Sequence, residues 1–535
     1  MAHTHIGKAK ATPDPVAAPV QPIVDLPTIR VDRRHLREKT AEALDALKRV
    51  NTPPRLFVRG NHLVRLHDAT RQHGPVIVML GEHELRGALA RAADFESDGH
   101  PVSPPIDVVR DVLALGKWSF PRLERVVEAP VLRPNGSILS AVGYDLTSAI
   151  FYAPGPHLIL PPIPRCPTWA EVIDARLLLR RELLGDFPFV DAASRANALA
   201  LLLTPILRPM IAGPTPLALI DKPIGGTGAS LLAEVVAIIA TGREAAMMSQ
   251  VEDEAEWRKQ ITATLRDGPM LVVIDDVESA PPPTAWARSN RPWGFRSKSL
   301  ARALTSTTWK DRILGKSTEI ELPQRAVWIA TGNNISIGRD FARRSYRIRL
   351  DACMEHPEER PASSFRHPLP TWALEQRGRL LVAILTLVRG WTTAGRPEPT
   401  IPVPTIGGFT NWAETLGAIL AYAGVKGFLQ NMEGVHEEID EETKAWAAFV
   451  VAWFRTFGSR EVTVSQIEKK IQREGSALRM ALPPDLARDL GPGFTQRLGC
   501  LLRRHVDQIV LDKFSLKRAG LDRHEKTVRW QVVER

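Results

Sequence analysis

The stretch Asp221-Lys-Pro-Ile-Gly-Gly-Thr-Gly-Ala-Ser230 constrains this chain more than any other. It follows a short apolar run at 216–220 and precedes an apolar helical pattern at 230–240. A glycine-rich turn between a strand and a helix is the setting of the phosphate-cradling loop G-x-x-x-x-G-K-[ST], or P-loop. Laid from Pro223 to Ser230, Gly228 and Ser230 match, whereas Pro223 replaces the first glycine and Ala229 replaces the lysine. In such a turn, backbone N–H groups point at phosphate oxygens and the helix adds its positive end. Gly225, Gly226, Thr227 and Gly228 can build that turn, and Ser230 can place a hydroxyl on Mg²⁺. What is missing is a mobile positive charge on the outer phosphates. Lys222 can fold back to supply it, against the stiffness of Pro223.

Three further apolar runs follow at 270–274, 326–330 and 346–350, with helical patterns between and after them. Short strands apolar on both faces, alternating with helices, predict a parallel α/β sheet covered on both sides. The first run ends in Asp275-Asp276, where an apolar strand delivers carboxylates beside the phosphate loop. Asp275 suits a Mg²⁺ ligand and Asp276 a group that orients and deprotonates water. The second ends in Thr331-Gly-Asn333-Asn334, whose amides can bond a phosphate or attacking water without changing local charge. Arg343 and Arg344 precede the last strand; an arginine fork spreads charge over a transferring phosphoryl group, here as a finger reaching across a subunit interface. Between 305 and 322, Gly315 turns a hairpin that gathers Lys310, Arg312 and Lys316 near its tip. Such a loop grips a phosphate backbone without reading sequence, unless it is only a solvated hairpin.

Elsewhere the chain reads as a Pro/Ala-rich disordered tail at 1–30, then an accessory α+β region at 31–167 with a helix at 34–50 and β-like runs at 55–58, 63–66, 75–80 and 126–132. Helices are expected at 169–185, 189–212 (with Asp191 as cap), 371–394, 410–424 and 441–457. The last hundred residues give helix 464–473, helix 494–509 and β-like runs 514–518 and 527–533, the order of a winged helix. Lys and Arg outnumber Asp and Glu two to one across 497–535, so Arg503, Arg504, Lys517, Arg518, Arg523 and Lys526 are candidate DNA contacts. The net charge of +10 over 535 residues favours a polyanionic partner. Three dispersed cysteines argue against a disulfide framework or zinc site and fit a reducing cytosol. No apolar run reaches the ~18 residues that span a bilayer.

As a set, LVVIDD (271–276), the segment 300–323, WIATGNN (328–334), DFARRSYRIRLD (340–351), RGRLLVAILTLVRGW (377–391) and GGFTNWAETLGAILAYAGVKGFLQN (407–431) resemble AAA+ ATPases. The likeness is to the group of superfamily 3 and minichromosome-maintenance-like helicases, and more narrowly to primase-helicase-type proteins of phages, plasmids and integrative elements. It covers about 190–431, and no primase active-site constellation precedes it. The resemblance implies an ATPase core at 168–355, a helical lid at 356–435 and a winged helix at 436–535. It also implies ATP and Mg²⁺ as cofactors, and a homo-oligomeric ring, most often a hexamer, on single- or double-stranded DNA in replication, with a primase or other replication proteins as partners. Asn333 or Asn334 would be sensor 1, Arg343 or Arg344 the arginine finger, Lys310–Lys316 the DNA hairpin, and Arg377 or Arg379 sensor 2. Ala229 departs from the pattern and leaves open a catalytically impaired scaffold or initiator that binds DNA and recruits another motor.

Overall fold

The computed structural model describes residues 26–67, 74–155, 157–277, 295–312, 319–335, 337–487, 490–491, 493–506, 509–510, 513–521 and 527–534. The chain divides into two compact units, 1–55 with 79–120 and 56–78 with 121–535. The 31–167 region of the sequence reading thus contributes to both.

In the first unit, helices Leu36–Val50, Glu82–Leu89 and Ile106–Ala114 accompany a sheet of Thr28–Arg30, Asp94–Ser97 and His100–Val102. Ala43, Leu47, Leu85, Leu89, Val108 and Val112 are buried. Each pair is four residues apart, which puts it on one helix face. Thr40 donates to Asp111 at 2.6 Å, tying the first helix to the third.

The larger unit is built on a parallel sheet. Among the described residues it has five strands in the order Met247–Ser249, Leu271–Val277, Val327–Asn333, Leu217–Lys222, Ser345–Arg349. Leu217–Ile220, Leu271–Ile274 and Val327–Ala330 are buried throughout, as two-sided cover demands. Helix Ala229–Thr241 runs from the glycine loop into the core, and Ala192–Leu207 is buried along nearly its whole length. The Asp191 carboxylate caps this second helix, accepting from the Ser194 amide at 2.6 Å. The expected helix at 371–394 is two, Leu369–Glu375 and Arg377–Thr393, broken at Gln376. The expected hairpin is Thr308–Arg312 paired antiparallel with Glu319–Pro323.

The C-terminal part carries helices Met432–Phe457, Val464–Ile471 and Phe494–Arg504. Phe514–Leu521 and Val528–Glu534 pair antiparallel, flanked by Ile509–Val510 and Val462–Thr463. The helix expected over 494–509 therefore stops at Arg504, and 509–510 is an edge strand. Trp453, Ile467, Leu498 and Trp530 form its core.

Candidate functional site

The C-terminal ends of three adjacent strands converge where the sequence placed the chemistry. Lys222 closes one, Asp275 and Asp276 lie near the end of the second, and Asn333 ends the third. The glycine loop caps this edge. Gly226 has φ +73° and Gly228 φ +102°, a left-handed conformation that costs a side-chain-bearing residue and costs glycine nothing. Thr227 turns its hydroxyl inward, donating to the Ile224 carbonyl at 2.7 Å. It therefore closes the loop with its side chain. Ala229 is fully buried at the first helical position.

Ser230 donates to Asp275 Oδ1 at 2.8 Å, and the same oxygen accepts from Thr331 Oγ1. Loop helix, carboxylate strand and amide strand are thus joined at one carboxylate. A bulge between Ile274 and Val277 breaks the pairing with Val327–Asn333. It re-aims the next carboxylate: Asp276 is exposed, with φ +51°, and its N–H takes Thr331 Oγ1 at 3.3 Å.

The two asparagines separate. Asn334, at φ +45°, donates its backbone N–H to the Lys222 carbonyl at 2.8 Å. Its side-chain Nδ2 reaches the Pro223 carbonyl at 3.3 Å, and its Oδ1 accepts from Arg349 at 2.8 Å. It clamps the loop. Asn333 stands beside Lys222 in the sheet register, and its buried Oδ1 has no partner among the described residues. Of the two, Asn333 keeps an acceptor free for a ligand or water. Lys222 is half-buried.

Two residues here escaped the sequence reading. Asp221, with its side chain 2% exposed, accepts from Arg349 and from the Ile335 amide at 2.9 Å, with Arg347 Nε at 3.8 Å. Asp221 and Arg349 are partners across 128 positions, so no local signal announced them. The second surprise is Glu358, in the short turn Pro357–Glu359. A Cβ built on Gly226 would stand 2.8 Å from both the backbone N and Oε2 of Glu358, so this acidic residue lies directly on the loop. His356 beside it holds the Glu358 carboxyl below its usual range, after the backbone contact that does most. Next to the loop opens a cavity of about 410 Å³, walled mainly by Phe187, Leu231, Phe365 and Leu369, with Asp186 and Arg360 at its margin. That size and lining suit a flat apolar ring with a few polar edges.

Other expected residues stand apart. Arg343 and Arg344 lie at the opposite sheet edge: Leu217 begins where Arg344 ends, its N–H bonding the Arg344 carbonyl at 2.8 Å. Both guanidiniums turn to Asp340 in their own turn. They do not enter this chain's own loop site. Arg377 is corrected: it is buried and donates to Ile239, Ala240 and Glu128 carbonyls, sealing the far end of the loop helix. Burial pushes its guanidinium down to about 10. Arg379 turns to Gln376. On the hairpin, Lys310 pairs with Glu319 at 2.9 Å, and Arg312 stands opposite Glu319 in register. Its basic face is thus interleaved with acid. Arg503 lies along its own helix, on the Gly499 carbonyl, and Lys517 and Arg518 occupy the Phe514–Leu521 strand. Lys316, Arg523, Lys526 and the Arg504 side chain lie outside the described residues.

Fold and site define a parallel α/β protein with a strand–glycine loop–helix unit, an acidic strand end and an amide strand end at one sheet edge. No protein-family model and no curated protein matches the chain. Among solved structures, the apo A form of the NrS-1 C-terminal region is 14% identical over 92% of this chain and 99% of that one, at TM-score 0.35. The JCV helicase is 17% identical over 48% of this chain and 65% of that one, at TM-score 0.23. No helix among the described residues is long and apolar enough to cross a membrane.

Proposed function

We propose that the chain is an ATP-dependent, DNA-acting AAA+ ATPase of helicase type, serving replication of a phage or mobile element. The observation that carries this reading is the joining of Ser230, Asp275 and Thr331 at the rim of the glycine loop, with Asp276 bulged out beside them. The loop amides take the phosphates and the apolar cavity beside Gly228 takes the base. Ser230 and Asp275 are hard oxygen donors that fit Mg²⁺, which supplies neutralisation of phosphate charge. Asp276 orients and deprotonates water, Asn333 holds that water or the outer phosphate, and Lys222 supplies the charge that Ala229 cannot. Arg343 and Arg344, at the far sheet edge, serve a neighbouring subunit's site in a homo-oligomeric ring, most simply a hexamer. The C-terminal helices and antiparallel strands act as a winged helix on DNA through Arg503, Lys517 and Arg518, with the hairpin residues Lys310 and Arg312 on the same polymer.

A second reading has its own observation. Glu358 lies on the loop and Ala229 is fully buried, which favours a catalytically impaired scaffold or initiator that recruits a primase or another motor. DNA-stimulated ATP hydrolysis by the wild type, Lys222→Ala, Asp276→Ala and Ala229→Lys decides between them. The ATPase reading expects turnover that Lys222→Ala and Asp276→Ala abolish. Absent turnover that Ala229→Lys restores refutes it for the native chain and establishes the scaffold.

A further inference from the structure

Away from the glycine loop, a second cavity of about 300 Å³ is lined by Arg125, Arg208 and Arg325 together with Glu124, Ser148 and Thr307. Arg125 and Arg208 are 3% and 2% exposed. Arg125 spends one nitrogen on the Arg325 carbonyl at 2.9 Å, and Arg208 spends one on the Ile211 carbonyl at 3.1 Å. Arg125 Nε and Nη1 and Arg208 Nε and Nη2 are buried with no partner among the described residues. Glu124 is the one carboxylate in the lining, and Arg325 Nε stands 2.6 Å from it. Neither buried guanidinium therefore has an ion-pair partner of its own among the described residues; Glu124, held by Arg325, acts on both only from a distance.

Such a pair is costly. A buried donor left unbonded carries its full desolvation penalty, and a buried charge is normally paired. Burial first, and then Arg325, pushes the Arg125 guanidinium down to about 10; burial, then Arg125 and Arg325, pushes Arg208 down to about 9. Even so, both stay protonated at neutral pH. The arrangement makes sense if something anionic completes it. Planar guanidinium forks match phosphate oxygens two at a time. Both arginines line this cavity, whose volume of about 300 Å³ has room for a small anion.

We propose that this cavity is a binding site for a small phosphate-class oxoanion, either free phosphate or the phosphate of a mononucleotide, held between Arg125 and Arg208. The proposal is independent of the ATPase reading.

The test is thermal unfolding of the full chain in inorganic phosphate against sodium chloride of equal ionic strength. The variants are Arg208→Gln and, as a control, Gly225→Glu, which adds a carboxylate to the glycine loop at a position with open space. At saturating phosphate the wild type and Gly225→Glu rise by on the order of 5 °C and Arg208→Gln does not. If Arg208→Gln does not fold, Arg208→Lys takes its place: it keeps the charge, loses the fork, and weakens the apparent phosphate affinity by about tenfold. A phosphate shift retained in Arg208→Gln, an apparent phosphate affinity of Arg208→Lys equal to wild type, or a shift lost in Gly225→Glu overturns the proposal. A second arm replaces phosphate by AMP in the Gly225→Glu background. A shift there identifies a phosphoester as the occupant, and a shift with phosphate alone identifies the free anion.

Discussion

Asp221→Asn is the sharpest perturbation of the sheet edge that carries the site. The substitution preserves shape and one acceptor for the Ile335 amide, but removes the charge. In the native chain that carboxylate, 2% exposed, faces Arg349 at 27% and Arg347 at 13% side-chain exposure. A hydrogen bond to a charged group contributes ~1.5–3 kcal/mol, and breaking a buried pair costs ~3–5 kcal/mol. Because both arginines retain some water, the lower part of that span applies, about 3 kcal/mol. With a urea slope of ~2–3 kcal/mol per molar, the unfolding midpoint falls by about 1 M. Intrinsic tryptophan fluorescence, to which Trp328, fully buried in the adjacent strand, contributes with the other buried tryptophans, gives the readout. The same variant frees Arg349, whose other nitrogen holds Asn334 against the loop, so nucleotide affinity falls with stability. A midpoint within about 0.2 M of wild type would refute the assignment of Asp221 as the electrostatic anchor of this edge.

Glu358→Gln removes a negative charge lying on the loop, so it raises the affinity for a fluorescent ATP analogue about fivefold at low salt, with the gain shrinking at high salt; equal affinities would mean that the residue does not oppose phosphate. Arg377→Met leaves the Ile239, Ala240 and Glu128 carbonyls without their donor and lowers stability by about 2 kcal/mol, with no direct effect on nucleotide affinity. A selective loss of nucleotide binding would instead restore the sensor role to Arg377. Arg133, followed by Ser148, holds the Asp145 carboxyl down to about 2. A carboxylate depressed in the folded state contributes stability that is fully present above its unfolded value of ~3.9 and is lost as pH falls toward 2. Asp145→Asn therefore flattens the stability profile between those limits and leaves its shape near neutrality intact; an unchanged acid limb would contradict the pairing.

What the sequence disclosed and what it withheld follow from range. The strands at 217–222, 271–277 and 327–333 were legible because burial on both faces writes a continuous apolar run. The Asp191 cap and the antiparallel pairing of Thr308–Arg312 with Glu319–Pro323 were legible because their partners are close in sequence; Gly315 itself lies outside the described residues. Helix Glu254–Asp267 was passed over, although Trp257, Ile261 and Leu265 mark its face, because charged residues fill the intervening positions. Met247–Ser249 is short and mostly exposed, and carries almost no pattern. The ordered set of loop, carboxylates and amides was readable in one dimension. Which asparagine clamps the loop was not, since that depends on register between strands more than a hundred residues apart. Arg377 was misjudged for the same reason: its carbonyl partners come from helix Ala229–Thr241 and from Glu128.

The left-handed backbones at Asp276 and Asn334 bear on how this protein tolerates change. Replacing Asp276 by glycine relieves a strain of ~1–3 kcal/mol at the cost of ~0.4–1 kcal/mol of added freedom in the unfolded chain, whereas glycine at Asn334 would also remove the side-chain bonds to Pro223 and Arg349. In a saturation library sorted for folded abundance, glycine at position 276 is expected to rise. In the same library sorted for growth that depends on the protein's activity, it is expected to vanish. Opposed enrichment at this codon would identify it as a place where durability has been given up for chemistry.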